Sequence, residues 1–341
     1  MNRKPTIILS FFLTATFAIS GFFLGRNFPS DNKENVQAAV PKHAQLIVKR
    51  LENPSTYKFI NPLLECDNYY PSNIAALETL ENELNAYIEK VKSDGIATDV
   101  AVYLRVLNSG PWIGVHEDMN FAPASLLKVP IMIALLKKSE SETGLLKEKM
   151  LYRPGLEPIF TQNIADTAQM KTGSYYTVEE LIERSIIFSD NDANEMLFAI
   201  AGENHITKVM EDIGLSLTGK KPSDDIVSVK TYSSFFRLLY NGTYLNRELS
   251  EKALFILSKT NFKMGLPKYL PAGIVVAHKF GERGLAGTNM KQLHDCGIVY
   301  LNRNPYLICV MTRGTDFNQL SEVIATTSKI IFDEMSRFNK N

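Results

Sequence analysis

The sequence predicts an α+β fold, in which an antiparallel β-sheet is flanked by helices and an all-helical subdomain lies beside it. The prediction depends on where the β-rich segments occur. They lie near both ends of the globular region, at residues 98–107, 112–116, 274–279, 293–301 and 306–313. Helical patterns dominate the long stretch between them. Because strands from both ends surround this stretch, we expect a single sheet to which both ends contribute.

The first predicted element is an amphipathic helix that precedes the sheet. Its apolar residues recur at steps of three and four: Leu77, Leu80, Leu84, Ile88 and Val91. The first strand follows at residues 98–107. The next residues, 108–111, have the composition of a turn before a second short strand. A final helix closes the chain after the three C-terminal strands.

Composition excludes several classes of protein. The 341 residues contain 37 basic and 37 acidic side chains, so the formal net charge is zero. This balance argues against a basic nucleic-acid-binding protein and against an acidic disordered tail, so we expect no nucleic-acid partner. The chain has five histidines without metal-ligand spacing, and we expect neither a metal site nor another cofactor.

Three cysteines are too few for a disulfide scaffold. Cys296 and Cys309 occupy mirror positions about a predicted hairpin turn at Asn302 and Arg303, where they could be cross-strand neighbours. We interpret them as buried thiols in preference to a disulfide. Cys66 has no evident mate.

The N-terminus has a basic head followed by an uncharged apolar run. Arg3 and Lys4 precede residues 6–24, which would rise about 30 Å as a helix, enough to span a bilayer. We favour an uncleaved anchor with its N-terminus inside. A cleaved signal peptide is the main alternative, since residues 18–20 resemble a cleavage site, and a core helix is another. With an anchor or a signal, the remainder would be extracytoplasmic.

Ser125 and Lys128 are the first candidates for chemistry. They stand three positions apart at the start of a predicted apolar helix, so both side chains lie on one face. A lysine takes a serine proton only when its own pKa is lowered, and Leu126, Leu127 and Val129 provide apolar surroundings that would desolvate it. Free N–H groups at the helix start would stabilise an oxyanion.

The Ser-x-x-Lys spacing alone is weak evidence. The same spacing joins Ser30 to Lys33 and Ser55 to Lys58. Only Ser125 follows a pair of strands and opens a long helix. Taken alone, the pattern favours a buried structural helix whose lysine extends to the surface.

Two further motifs follow in the chain. Thr177 caps a predicted helix that leads to Ser189-Asp190-Asn191, where a hydroxyl and a carboxamide lie at a helix junction. We expect Ser189 to transfer a proton and Asn191 to bind a substrate amide. Later, a strand ends in Lys279 and Gly281. Its edge would pair with an extended substrate while the lysine attracts a carboxylate.

These three motifs, in this order, resemble those of the class A β-lactamases and low-molecular-weight penicillin-binding proteins, which carry S-x-x-K, S-D-N and K-T-G. The resemblance covers about residue 98 to the C-terminus. It implies that Ser125 is the acylated nucleophile and Lys128 its general base. Ser189 would then relay a proton to the leaving nitrogen.

The resemblance also assigns substrate-binding residues. Asn191 would contact the substrate amide, and Lys279, with Gly281, would lie beside the substrate carboxylate. The backbone N–H groups of Ser125 and Glu282 would form the oxyanion hole. The chain then divides into residues 1–25 (anchor or signal), 26–95 (linker and N-terminal extension with a helix) and 96–341 (β-lactamase-like serine hydrolase domain).

The third motif departs from the family pattern. It is Lys279-Phe280-Gly281, and Phe280 removes a hydroxyl that the family often uses near the substrate carboxylate. A literal Lys171-Thr172-Gly173 precedes the S-D-N helix and follows no strand. We interpret this second triplet as a loop.

A catalytic glutamate is missing from the expected loop. Class A β-lactamases carry a deacylating glutamate after the S-D-N helices, but residues 215–229 contain only Asp224 and Asp225 as acids. We interpret both as solvated loop carboxylates. An ester at Ser125 would lack an organised base, which costs about 10²–10⁴-fold in rate. We therefore predict slow deacylation.

The anchor for a substrate carboxylate is also undefined. Arg283, His294 and Arg313 are candidates, although a surface or strand-end charge explains each of them.

Three functions follow from these observations. The leading one is an extracytoplasmic serine acyl-enzyme that reacts with β-lactams or with D-Ala-D-Ala peptidoglycan stem peptides. The missing glutamate favours a DD-peptidase-like or penicillin-binding activity over a true β-lactamase. A weakly catalytic binder or sensor of cell-wall fragments is the next alternative, and a purely structural membrane-anchored domain is the third. The oligomeric state is open.

Overall fold

The computed structural model describes residues 57–60, 74–153, 169–215, 219, 221, 224–285, 287–302 and 304–338. The chain divides into two compact units, Met1–Ile47 and Val48–Asn341, and all described residues belong to the second. The predicted anchor or signal, residues 1–25, lies outside the described residues, as do the linker residues 26–42 and Cys66. Among the helices that are described, none is both long enough and apolar enough to cross a bilayer.

Nine strands occur in the described part of the chain. They are β1 (Asp99–Val106), β2 (Trp112–Val115), β3 (Asn120–Phe121), β4 (Lys149–Leu151), β5 (Tyr175–Thr177), β6 (Val227–Ser228), β7 (Val275–Gly284), β8 (Lys291–Tyr300) and β9 (Tyr306–Gly314).

Five of these strands form the main sheet, in the order β2-β1-β9-β8-β7. All neighbours are antiparallel, and β1 pairs with β9 so that Asp99 lies opposite Arg313. The two ends of the globular region therefore meet in one sheet, which confirms the predicted α+β fold. β7 and β2 are the two edge strands. Two small sheets, β3 with β6 and β4 with β5, accompany the main one.

Eight helices surround the sheet within the described residues. They are α1 (Ile74–Ser93), α2 (Lys128–Ser139), α3 (Val178–Ile187), α4 (Asn191–Ala201), α5 (Glu203–Asp212), α6 (Val229–Asn241), α7 (Arg247–Leu257) and α8 (Phe317–Phe338).

Apolar side chains cover both faces of the sheet. The periodic residues predicted for the first helix are all buried on α1, which packs with α8 against one face. The opposite face carries Tyr103, Met311 and the two strand cysteines, which pack against the helical part that includes α2, α3 and α6. The alternation of side chains along each strand allows one sheet to serve two cores.

Two local sequence patterns in the helical part adopt the structure predicted for them. The Thr177 side chain accepts from the Glu180 backbone N–H, and the Glu180 carboxylate accepts from the Thr177 N–H, which completes the capping box at α3. Thr172 and Gly173 lie in a turn, so the literal Lys-Thr-Gly triplet is a loop, as predicted.

The interpretation of Cys296 and Cys309 as buried thiols is wrong. The two residues are directly opposite each other on β8 and β9, and their sulfurs form a disulfide. Directly opposed positions of neighbouring antiparallel strands bring Cβ atoms within bonding reach of a bridge. This bridge links two central strands inside the core.

Candidate active site

Ser125 lies in a tight 3-10 turn, Ala124–Leu127, that leads directly into α2. In such a turn residues three apart are eclipsed, so Ser125 and Lys128 share a face, as expected. The preceding residue, Ala124, has a φ of +48°, a conformation that costs energy for a residue with a Cβ. The Tyr232 hydroxyl donates to the Leu126 carbonyl oxygen (2.9 Å) and fixes the turn from α6.

Lys128 is buried and points into the protein, so the reading of a lysine extending to the surface is wrong. Its Nζ donates to the backbone oxygen of Ser189, to Ser189 Oγ (3.1 Å) and to Asn191 Oδ1 (2.7 Å). Among the hydrogen bonds of the described residues, none joins Lys128 to Ser125. The S-D-N motif therefore holds the Lys128 amine through Ser189 and Asn191.

Burial lowers the pKa of Lys128 to about 7, because a charged ammonium loses its hydration there. The negative charges of Asp190 and Glu282 oppose this shift. Near neutral pH a substantial fraction of Lys128 is then a neutral amine with a free electron pair. This is the property that a general base for Ser125 requires.

The S-D-N motif lies at the junction of α3 and α4. Ser189 is buried and has a φ of +57°. Asp190 caps α4 by accepting from the Ala193 N–H (3.1 Å), and it pairs with Arg184 (2.9 Å). This structural role of Asp190 is not predicted above, although an aspartate directly before a helix is a common capping signal.

Lys279 approaches Ser189 from the sheet side. Its buried Nζ donates to Ser189 Oγ (3.0 Å) and to the Phe280 carbonyl oxygen (2.8 Å). Burial lowers the pKa of Lys279 well below its usual value, and the neighbouring charge of Lys128 lowers it further. Lys128, Ser189 and Lys279 thus form one hydrogen-bonded group, which we call the lysine cluster.

Gly281 brings β7 against the turn that carries Ser125. A Cβ at this position would lie 3.0 Å from the Pro123 carbonyl oxygen and 3.1 Å from the Leu126 nitrogen. Only glycine permits this approach without a shift of the backbone. Because β7 is an edge strand of the described sheet, its outer backbone groups are directed away from β8.

Phe280 is a core residue. It is fully buried, and its ring stacks on that of Phe262 with centroids 4.3 Å apart. The Lys279 Nζ lies 4.1 Å from the centroid of the same ring. The departure from Lys-Thr-Gly therefore replaces a hydroxyl with an apolar neighbour of the lysine.

Glu282 contributes a negative charge that is not predicted above, where only its backbone N–H is assigned. It directly follows Gly281 on β7, and its carboxylate raises the pKa of both Lys128 and Lys279 against the effect of burial. The sequence does contain a signal for this charge, namely an acidic residue immediately after the Lys-x-Gly motif. The lysine cluster therefore has a carboxylate nearby that does not come from the loop after α5.

The two loop acids differ from each other. Asp224 is exposed and accepts from the Lys221 N–H (2.8 Å), which agrees with a solvated loop carboxylate. Asp225 is also exposed, but it pairs with Arg313 (2.6 Å) and accepts from Gln292 Nε2 (3.1 Å). Asp225 is thus solvated, as expected, and also forms an ion pair that is not predicted above.

The three candidate carboxylate anchors lie in different environments. Arg313 bridges Asp99 (2.7 Å) and Asp225. His294 is fully buried against the Ala122 carbonyl oxygen (3.1 Å), and burial lowers its pKa to about 4, so it is neutral at pH 7. Arg283 is partly exposed on β7. In the described ranges no cluster of His, Cys, Asp and Glu could hold a metal ion.

Comparison with known proteins supports the same fold. A model of the β-lactamase enzyme family matches residues 79–335. Among curated relatives, the β-lactamase VEB-1 of Pseudomonas aeruginosa is 24% identical over 271 residues, which cover 74% of this chain and 88% of that protein.

Solved structures also match. PBP-A superposes with a TM-score of 0.65 at 23% identity, covering 80% of this chain and 99% of that one. A PBP-A variant solved as its acyl-enzyme complex with penicillin G has the same TM-score at 22% identity, covering 80% of this chain and all of that one. These likenesses support the fold.

Proposed function

The chain belongs to the β-lactamase enzyme family, and from that premise we propose a serine acyl-enzyme that reacts with β-lactams or D-Ala-D-Ala peptidoglycan stem peptides and deacylates slowly. Its general class is a serine hydrolase of the β-lactamase-like kind. The observation that carries the proposal is the buried Lys128, whose pKa of about 7 makes it a base within one turn of Ser125.

Acylation would begin when neutral Lys128 takes the proton of Ser125. The serine oxygen then bonds to the carbonyl carbon of the substrate, and the carbonyl oxygen becomes an oxyanion. Backbone N–H groups of Ser125 and Glu282 would stabilise this charge. Collapse of the intermediate breaks the carbon–nitrogen bond and leaves an ester on Ser125.

The leaving nitrogen needs a proton, and Ser189 is placed to deliver it. Its hydroxyl oxygen accepts from Lys128 and Lys279, which leaves the hydroxyl hydrogen available to a third partner. Ser189 would donate its hydroxyl proton to the leaving nitrogen. Lys128, protonated in the first step, would then give a proton to Ser189. Asn191 would hold a substrate amide, and Lys279 would attract a substrate carboxylate.

Slow deacylation is supported by the surroundings of the two loop acids. Hydrolysis of the ester requires a base that activates water. The Asp225 carboxylate pairs with Arg313 and accepts from Gln292 Nε2. The Asp224 carboxylate accepts from the Lys221 backbone N–H. The structure of a penicillin G acyl-enzyme of PBP-A is a precedent in a protein of the same fold.

A true β-lactamase is the second candidate, and the Glu282 carboxylate favours it. This carboxylate is close enough to raise the pKa of both lysines of the cluster. If it also reached the water that attacks the ester, it would replace the missing loop glutamate. The two candidate functions therefore differ in whether the Glu282 carboxylate acts as the base for deacylation.

The experiment is an intact-mass time course of the full-length protein with benzylpenicillin. We expect the mass to increase by one penicillin and to persist for many minutes, and we expect no adduct with Ser125→Ala. Absence of an adduct in the unmodified protein would refute the acyl-enzyme and favour a non-covalent cell-wall binder. Rapid loss of the adduct would favour the β-lactamase.

Glu282→Gln distinguishes the two candidates further, since it keeps the backbone N–H and removes the charge. If Glu282 is the base, this variant accumulates an adduct that the unmodified protein hydrolyses. If deacylation is already slow, the adduct lifetime stays within about twofold of the unmodified protein, well below the loss expected for a catalytic base. Circular dichroism of each variant would establish that it is folded.

We further propose that residues 6–24 anchor the protein in the cell membrane with the hydrolase domain outside. The uncharged length of this segment and the basic residues before it support the placement. The same intact-mass measurement on protein purified from membranes tests it. The full-length mass is expected, whereas a mass short of the first twenty or so residues would indicate a cleaved signal.

A further inference from the structure

A cavity of about 360 Å³ lies at the β2 edge of the sheet, away from the lysine cluster at the β7 edge. It is bounded by β1, β2 and the first turns of α6. Three strand spacings, about 14 Å, separate β1 from β7. The cavity is therefore not part of the site described above.

Three cationic side chains line this cavity, and we call it the cationic pocket: Arg105, Lys230 and Arg237. In the described part of the chain neither arginine takes part in an ion pair. Lys230 Nζ lies 3.6 Å from Asp118 and 3.8 Å from Glu117. Asp118 also lines the pocket and is 77% exposed, so the lining carries three positive side chains and one negative.

Ser233 is a second and independent indication of a ligand. It is 2% exposed and lines the same cavity, yet among the described residues its Oγ has no hydrogen-bond partner. Buried hydroxyls are nearly always satisfied in folded proteins. With the Ser233 side chain rotated toward the cavity, a group with acceptor oxygens inside the pocket would satisfy this one.

An aromatic wall completes the pocket. Trp112 stacks on Tyr103 with ring centroids 5.6 Å apart, and Lys230 Nζ lies 4.8 Å from the Trp112 ring. The volume falls within the usual range of small-molecule sites. Guanidinium groups bind carboxylate and phosphate oxygens through paired hydrogen bonds.

We propose that the cationic pocket binds a small organic molecule through a carboxylate or phosphate group, which the two arginines and the Ser233 hydroxyl contact. This binding is separate from acylation at Ser125. It does not depend on the function proposed above.

The experiment uses Trp112, the single tryptophan of the chain, as the reporter. Full-length protein is titrated with glucose 6-phosphate and with N-acetylmuramic acid, each beside its neutral counterpart, glucose or N-acetylglucosamine. Tryptophan emission and isothermal titration calorimetry are both recorded. We expect at least one anion to bind with a Kd of about 1 mM or tighter, and we expect the neutral sugars not to bind.

Variants locate the site. Arg237→Glu on the exposed side of α6 should weaken anion binding about tenfold or more, whereas Arg337→Glu on α8 should leave it unchanged. Ser233→Ala should weaken binding while the melting temperature without ligand stays the same or rises, because no hydrogen bond is lost. Acylation by penicillin should be unaffected in all three.

Each outcome bears on the proposal. Binding of the phosphate alone or of the carboxylate alone supports it and identifies the ligand group. Equal binding of the neutral sugars would overturn it, as would unchanged affinity in Arg237→Glu and Ser233→Ala. Failure of both anions to bind by both measurements would also overturn it.

Discussion

Two groups of basic side chains lie at opposite edges of the same sheet and differ in burial. At the β7 edge, Lys128 and Lys279 are buried, and burial lowers the pKa of both. At the β2 edge, Arg105, Lys230 and Arg237 remain partly or largely exposed beside a cavity. Basic side chains at the two edges are therefore suited to different chemistry.

The difference lies in how far water hydrates the charged form of each side chain. A lysine removed from water gives up its proton more readily and becomes a base. An arginine keeps its proton in either setting, so the pocket is suited to holding an anion and not to moving a proton. Burial at one edge thus favours catalysis, and exposure at the other favours binding. The following changes test this contrast, starting with the largest expected effect.

Replacing the buried base should remove most of the activity. Lys128→Met keeps the length and apolar character of the side chain but has no electron pair to accept the Ser125 proton. We expect the rate of acylation by benzylpenicillin to fall about 10²–10⁴-fold, as for loss of a general base. Stopped-flow or intact-mass kinetics would measure it.

Lys230→Met is the matched control at the other edge. It removes an exposed amine of the cationic pocket and should leave acylation within about twofold, as expected for a site away from the reacting atoms. An equal loss in both variants would show that acylation does not depend on the buried position.

The pH profile of acylation should follow Lys128. Below its pKa of about 7 the amine is protonated and inactive, so the rate should rise about tenfold per pH unit and then level off above pH 7. In Lys128→Arg this rise should disappear, because the guanidinium stays protonated. A flat profile in the unmodified protein between about pH 5 and 8 would contradict a base with this pKa.

The tight contact between β7 and the Ser125 turn should tolerate no methyl group. Gly281→Ala places a Cβ against backbone atoms of Pro123 and Leu126, and we expect a loss of about 1–3 kcal/mol in the free energy of unfolding. Gly284→Ala, on the same strand with open space around it, should cost less than about 1 kcal/mol. Chemical denaturation of the two proteins measures the difference.

The sequence predicts the parts of the molecule that depend on local pattern. The spacing of Leu77 to Val91, the capping box at Thr177 and the single sheet built from both ends each have a direct physical signature, and all three are confirmed. Ser125, Lys128, Ser189 and Lys279 are found through motif order. Three of them join one hydrogen-bonded group, and Ser125 lies on the adjoining turn.

Other features depend on which residues meet across the fold. The disulfide requires that Cys296 and Cys309 be in exact register, which sequence separation alone leaves open. The proximity of Glu282 to two lysines, and the pairing of Asp225 with Arg313, arise from tertiary contacts. The cationic pocket combines β1, β2 and α6, whose basic residues show no shared motif in the chain.

The pairing of β1 with β9 has a consequence for how the chain folds. Asp99 and Arg313 stand 214 positions apart, yet they are neighbours in the sheet. Closing so long a loop is slow, and contacts of this kind form only after much of the chain has been synthesised. The main sheet therefore closes only once β9 has been made, and a shortened chain that ends before β9 would leave β2-β1 and β8-β7 without the strand that joins them.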